Sequence, residues 1–181
     1  MVELATRAAT LIAIAREAIE RQERPQAGHA WDEPWLREVG ACFVTLRLEG
    51  ELRGCVGTVD AYRPLGDDVA HNAFAAAYRD SRFAPVSADE RDRLGVEVSV
   101  LSPRTPIVAP SEDDALAVLR PGVDGIYLEY DHMRATFLPQ VWENIPDPLD
   151  FLCELRRKAG LPARFWHDRV RLSRYTVVKY K

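Results

Sequence analysis

Between Leu52 and Thr58 the chain reads Leu-Arg-Gly-Cys-Val-Gly-Thr. Side chains of an extended segment alternate between two faces, so Arg53, Cys55 and Gly57 share one face and Leu52, Gly54 and Val56 the other. A guanidinium two positions from a thiol favours the thiolate, which is the nucleophilic form of cysteine. Gly54 and Gly57 let a ligand approach the backbone closely, or mark a bulge that re-aims the cysteine. The competing reading makes Cys55 a small buried apolar residue between turn glycines, because free cysteine is among the most buried residue types. Cys42, in a strand-like run, and Cys153, on an apolar helical face, read as core filler.

A second group of polar residues is expected to converge on that segment. Asp80-Ser81-Arg82 follows a helix that packs behind the first hairpin, and a short connection returns the chain to a strand in which Val96, Val98 and Val100 take one face. Glu97 and Ser99 then project from the opposite face, where a carboxylate can orient Arg53 or act as a base. Arg82 and Arg53 together suit a carboxylate or phosphate. The structural alternative is an ion-pair network in which Arg79 and Arg82 complement a helix C-terminus and Asp80 caps the turn. The candidate set is therefore Cys55 and Glu97 as catalytic groups, with Arg53, Gly54, Gly57, Thr58, Asp80, Ser81, Arg82 and Ser99 as ligand contacts.

Other chemistries lack support in the chain. His71 falls on the helix face away from Val69 and Ala73 and reads as solvated, and His29, His132 and His167 are isolated, none with metal-ligand spacing. The three cysteines, Cys42, Cys55 and Cys153, are widely and irregularly spaced, which argues against a zinc site or a disulfide framework and for a reducing compartment, the cytoplasm by default. No Walker, dinucleotide-binding or nucleophile-elbow pattern occurs, so no cofactor is expected. A formal net charge of −4 makes nucleic acid a poor partner. The apolar run Leu4–Ile19 is interrupted by Thr6, Arg7, Arg16 and Glu17, so neither a membrane span nor a signal peptide is expected.

The elements that must hold these residues follow from periodicity. Leu4, Leu11, Ile12, Ala15 and Ile19 recur at helical spacing, so residues 4–24 read as an amphipathic helix ended before Pro25. Pro25–Gly40 reads as an irregular connection whose tryptophans cover a core edge. Ala41–Leu48 and Leu52–Val59 make a hairpin, Pro64 opens a helix to about Arg79 burying Leu65, Val69, Ala73 and Ala76, and Ser87–Glu90 forms a capping box before the valine strand. Prolines 103, 106 and 110 mark a break, and Ser111 caps a short helix ending at Pro121-Gly122. Hairpin, helix and strand then recur: Ile126–Tyr130 with Arg134–Leu138, a helix capped by Asp147, and a final strand Val170–Tyr180. The expectation is one α+β domain over 1–181 with mostly antiparallel sheets, an N-terminal helix and connection at 1–40, and ββαβ units at 41–102 and 111–181.

The runs Ala41–Leu46, Leu52–Thr58, Asp80–Pro85 and Val96–Leu101 resemble the AMMECR-type family, as do Gly122–Ile126, Arg134–Trp142, Lys158–Pro162 and Arg174-Tyr175 further on. The resemblance implies a two-part α+β fold with a duplicated ββαβ unit whose last strands are exchanged between halves. Prokaryotic members resemble the A component of the AmmeMemoRadiSam system, encoded alongside a Memo-type dioxygenase-like protein and a radical S-adenosylmethionine protein. Two functions are then expected to compete. One is a site for a small, anionic molecule around Leu52–Thr58, thiol-dependent if enzymatic; the other is a non-enzymatic adaptor for those two proteins.

Overall fold

A computed structural model describes residues 2–23 and 31–181. Of the connection expected at Pro25–Gly40, residues 25–30, His29 among them, lie outside the described residues. The chain divides into two compact units, one running to Leu101 and including Val178–Lys181, the other spanning Ser102–Val177.

In the first unit, helix α1 (Val2–Arg21) is followed by a short helix α2 (Pro34–Arg37) and the strands β1 (Val39–Leu48), β2 (Glu51–Gly57) and β3 (Arg63–Pro64). Helix α3 (Leu65–Tyr78), the single turn α4 (Ala88–Arg91) and strand β4 (Leu94–Leu101) complete it, with the last strand of the chain, β9 (Val177–Tyr180), added at the far edge. The sheet order is β2–β1–β4–β9, with β3 pairing the start of β1. Val44, Leu46, Val96 and Val98 face α1 and α3, and Leu11, Ile14, Ala15, Ala18 and Ile19 close the core from the α1 side. Leu4, expected on that face, is exposed, because the packing begins a helical turn or two later. Trp31 and Trp35 pack at the core margin, and Trp31 also donates its indole N–H to Asp67 at 2.8 Å.

The second unit repeats the order. Strand β5 (Thr105–Ile107) and helix α5 (Glu112–Val118) precede the hairpin β6 (Gly125–Tyr130) and β7 (Met133–Phe137), helix α6 (Pro148–Lys158) and strand β8 (Arg171–Tyr175). Its sheet order is β5–β8–β6–β7. Helix α5 is N-capped by Ser111 and α6 by Asp147, whose carboxylate accepts the N–H groups of Leu149 and Asp150. Phe151, Leu152 and Leu155 fill the core under this sheet, with Trp142 stacked on Phe151 at 3.7 Å.

The two sheets exchange their last strands. The segment after β4 leaves to become β5 beside β8, and the segment after β8 leaves to become β9 in the first sheet. Val170–Tyr180 is therefore not the single strand that its pattern suggests but two strands in different sheets, broken at Thr176. The break is pinned because Ser102 N–H donates to Thr176 O at 2.9 Å and Thr176 N–H donates to Ser102 Oγ at 3.0 Å. An isolated reading of β-branched and aromatic residues gives no signal for such a switch.

Candidate functional site

Strand β2 is an edge strand, and its outward backbone groups would template unwanted pairing if left bare. The loop after α3 closes that edge with side chains. The Asp80 carboxylate accepts the Cys55 N–H at 2.9 Å, and Arg82 Nη2 donates to the Cys55 carbonyl at 3.1 Å. Arg82 in turn grips Asp80 through Nε at 2.9 Å and Nη2 at 2.7 Å. Asp80 and Arg82 thus act as a two-toothed clamp that replaces a neighbouring strand at one residue. Arg82 foremost, then the Cys55 N–H, holds the Asp80 carboxyl well below the usual carboxylate range. Ser81 lies exposed between the two clamp residues.

Because both Cys55 backbone groups point to the clamp, the opposed residues Thr45 and Cys55 form a non-hydrogen-bonded pair, the kind whose side chains approach most closely. Thr45 Oγ1 lies 3.4 Å from Cys55 Sγ. Thr45 also pairs Glu97 on its other side. Thiol, hydroxyl and carboxylate therefore stand in one row across β2, β1 and β4, with Phe43, Gly57 and Ser99 in the next row on that face. Two inter-strand steps of about 4.8 Å keep the Cys55 and Glu97 backbones roughly 10 Å apart. Glu97 meets Lys181 Nζ at 3.1 Å.

Arg53 does not keep company with the thiol. The register passes from Leu46 opposite Gly54 to Arg47 opposite Leu52, leaving Arg53 as the extra residue of a bulge. Its guanidinium runs to Glu90, donating through Nε at 2.8 Å and Nη2 at 3.0 Å. Glu90 also accepts the Ser87 N–H at 2.8 Å, completing the capping box of α4. Arg53, with help from that N–H, lowers the Glu90 carboxyl to about 2. It is thus Glu90, not Glu97, that orients Arg53, and both Arg53 and Arg82 are committed to carboxylates of the protein. The Phe83 ring lies near both guanidinium carbons, 6.0 Å from Arg53 and 5.5 Å from Arg82.

The remaining candidates serve packing. Gly54 is on the helix-facing side of β2, where a Cβ would fall 2.2 Å from the Ala76 carbonyl oxygen of α3. Gly57 lies under the Phe43 ring, whose nearest carbons would be 2.2 Å from a Cβ. Thr58 turns inward and donates to Asp68 at 2.7 Å. Asp68 is fully buried on α3, accepts the Cys42 N–H at 2.9 Å and the Asn72 amide at 3.0 Å, and is ion-paired with Arg63, whose Nε lies 3.1 Å away. Asn72 further donates to the Cys42 carbonyl at 3.1 Å and to Thr58 Oγ1 at 3.1 Å. Burial, then the Asp68 charge, pushes the Cys42 thiol well up.

Sequence reasoning missed Thr45, Arg63, Asp68, Asn72 and the second role of Glu90. A signal existed for Asp68 and Asn72: they are polar residues four apart on a helix otherwise rich in alanine. Among the described residues no group of three or more His, Cys, Asp or Glu side chains is arranged to hold a metal ion. No helix among them is long and apolar enough to cross a membrane. A shallow surface depression between α1, α4 and β4 is lined by Arg16, Ile19, Glu20, Arg91, Leu94 and Val96, none of them a candidate site residue.

An α+β chain of exchanged ββαβ units, with an arginine–cysteine edge strand clamped by an Asp-Ser-Arg loop, defines the class. The chain belongs to the AMMECR1 family, whose model matches residues 12–180. It is 39% identical over 167 residues to a protein of Methanothermobacter thermautotrophicus, covering 88% of this chain and 85% of that one. A Thermotoga maritima protein is 39% identical over 152 residues, 83% of this chain and 82% of its own length. The crystal structure of an uncharacterized protein from Pyrococcus horikoshii superposes with a TM-score of 0.79 at 33% identity, covering 94% of this chain and 88% of that one.

Proposed function

We propose that this protein binds a small molecule on the face of the first sheet opposite α3, with the Cys55 thiol as its contact and Glu97 as the acidic group reaching it from two strands away. The observation that carries this reading is the Cys55–Thr45–Glu97 row, set on rigid strands with the Cys55 backbone fixed at both polar atoms. Because Arg53 and Arg82 already hold Glu90 and Asp80, they position the strand rather than grip an anion. The ligand therefore meets a thiol, the Thr45 hydroxyl and the Glu97–Lys181 ion pair, a surface suited to a small polar molecule without net charge.

Iodoacetamide labelling followed by mass spectrometry tests the thiol. Cys55 is half-buried whereas Cys42 and Cys153 are buried, so Cys55 should label first at neutral pH. Labelling of Cys55 no faster than the other two overturns the reading.

The commitment of both guanidiniums favours a second reading, in which the same face docks a protein and needs no turnover. The partners it names are the Memo-type and radical S-adenosylmethionine proteins. Absence of measurable binding to either at high micromolar concentration removes it.

A further inference from the structure

The row beside the thiol holds an aromatic ring that serves neither core. Phe43, on β1, stands between Gly57 of β2 and Ser99 of β4. Its chain neighbours Cys42 and Val44 are fully buried in the first core, and side chains alternate along a strand, so Phe43 projects from the opposite face, the one that carries Cys55, Thr45 and Glu97. It is half-buried there and, among the described residues, packs into neither hydrophobic core. Each of the other five phenylalanines has an aromatic or guanidinium neighbour, as Phe137 has in Phe151 and Phe83 in Arg82. Phe43 has none among the described residues.

The ring is nevertheless seated. A Cβ on Gly57 would lie 2.2 Å from its Cγ and Cδ1, so the ring reaches across to β2 and rests on the glycine backbone. One face is taken by that strand and the other is turned away from it. Cys55 lies two residues along β2 from Gly57, and Thr45 two residues along β1 from Phe43, each roughly 7 Å along its strand. A flat ring laid on Phe43 therefore has the thiol and the Thr45 hydroxyl at its rim. Offset stacking of two rings adds affinity beyond the area it covers, an advantage that a saturated ring of the same size does not receive. The Glu97 carboxylate, which would otherwise favour a cation, is met by Lys181 at 3.1 Å.

We infer that Phe43 is the stacking floor of this site and that the molecule it takes is an uncharged planar ring, aryl or nucleobase-like, whose polar rim meets Cys55 Sγ and Thr45 Oγ1. The inference rests on the small-molecule reading of this face and names the class of ligand.

The test follows the backbone amide NMR signals of Phe43, Cys55 and Gly57 in the full chain, with each probe titrated to about 10 mM, the range in which a fragment held by one stacked ring binds. Two matched pairs serve as probes: benzamide against cyclohexanecarboxamide, and uracil against dihydrouracil. Each pair keeps its polar groups and differs in the flatness of the ring. The expected result is a saturable shift of those amides with the planar member of at least one pair, bound about fivefold more tightly than its saturated counterpart. The pair that binds more tightly separates an aryl amide from a nucleobase edge. Phe43→Leu, which keeps apolar bulk and loses the π face, should bring planar and saturated members to equal affinity. Should that variant fail to fold, the comparison within the unaltered protein decides alone. No shift of those amides with either pair, equal affinity for planar and saturated members, or a preference retained in Phe43→Leu overturns the inference. Iodoacetamide labelling tests the underlying reading separately: planar binding with an unreactive Cys55 keeps the ring floor and removes the thiol contact, whereas a reactive Cys55 without planar binding keeps the thiol and removes the floor.

Discussion

The Asp80 carboxylate accepts the backbone N–H of Cys55 at 2.9 Å across 25 residues of chain, and this bond joins the two motifs that sequence reading had singled out separately. It makes the Asp-Ser-Arg loop a substitute strand for the exposed edge of β2. The loop's acid and base are thereby spent on holding the cysteine's backbone.

Removing that bond should loosen the edge. Asp80→Ala leaves the Cys55 N–H and the Arg82 guanidinium without their shared acceptor, and the Asp80 side chain is only 6% exposed. A loss of about 2 kcal/mol is expected in urea unfolding, with Cys55 labelling accelerated. Arg82→Lys, which cannot span Asp80 and the Cys55 carbonyl as a fork, should show a smaller change in the same direction.

Acid should weaken the first unit over a defined range. Glu90 is lowered from its ordinary value of 4.5 to about 2 by Arg53, and Asp80 is lowered from 3.8 by Arg82. Folded values below unfolded ones mean stabilisation that is complete above the unfolded values and lost as pH falls through the folded ones. Denaturant midpoints should therefore decline from pH 4.5 towards 2. Glu90→Gln should flatten part of that decline, and an unchanged profile would count against the ion pair.

Two glycines of one motif should respond differently to alanine. At Gly54 the added Cβ meets the Ala76 backbone carbonyl of α3, which cannot move without shifting the helix. Gly54→Ala should cost about 3 kcal/mol or prevent folding. At Gly57 the obstacle is the Phe43 ring, which can rotate away, so Gly57→Ala should cost about 1 kcal/mol. Thermal unfolding of the pair of variants checks the order.

The polar cluster below the hairpin should prove structural. Asp68→Ala strands the Cys42 N–H, Thr58 and Arg63 together, and a loss of about 3 kcal/mol or more is expected from chemical unfolding. In the intact protein Cys42 should resist iodoacetamide until global unfolding, because it is fully buried and its thiol is pushed up. In Asp68→Ala its labelling should accelerate well beyond that of Cys153.

The element order was legible in the sequence because local signals agree with the fold. The hairpin alternation, Pro64, the Ser87, Ser111 and Asp147 caps and the valine strand all fall where the structure has them. The candidate site was legible only as a set of residues. The short return after α3 suggested that Asp80 and Arg82 converge with the other candidates, but neither their bonds to the Cys55 backbone nor the partner of Arg53 was readable, since a bulge between Leu46 and Arg47 redirects Arg53 and no residue type announces that bulge. The break at Thr176 was equally silent, because no glycine or proline interrupts Arg171–Tyr180 and Thr176 is itself a β-forming residue.

What the sequence by itself determined is the α+β class, the repeated hairpin–helix–strand order and the family, since these rest on periodicity, caps and motif spacing that each segment carries within itself. Tertiary structure alone decided which carboxylate meets which guanidinium, that Thr45 stands between Cys55 and Glu97, and that Thr58 turns inward to Asp68. Those outcomes depend on strand register and on which sheet a segment joins, quantities set by packing between distant parts of the chain.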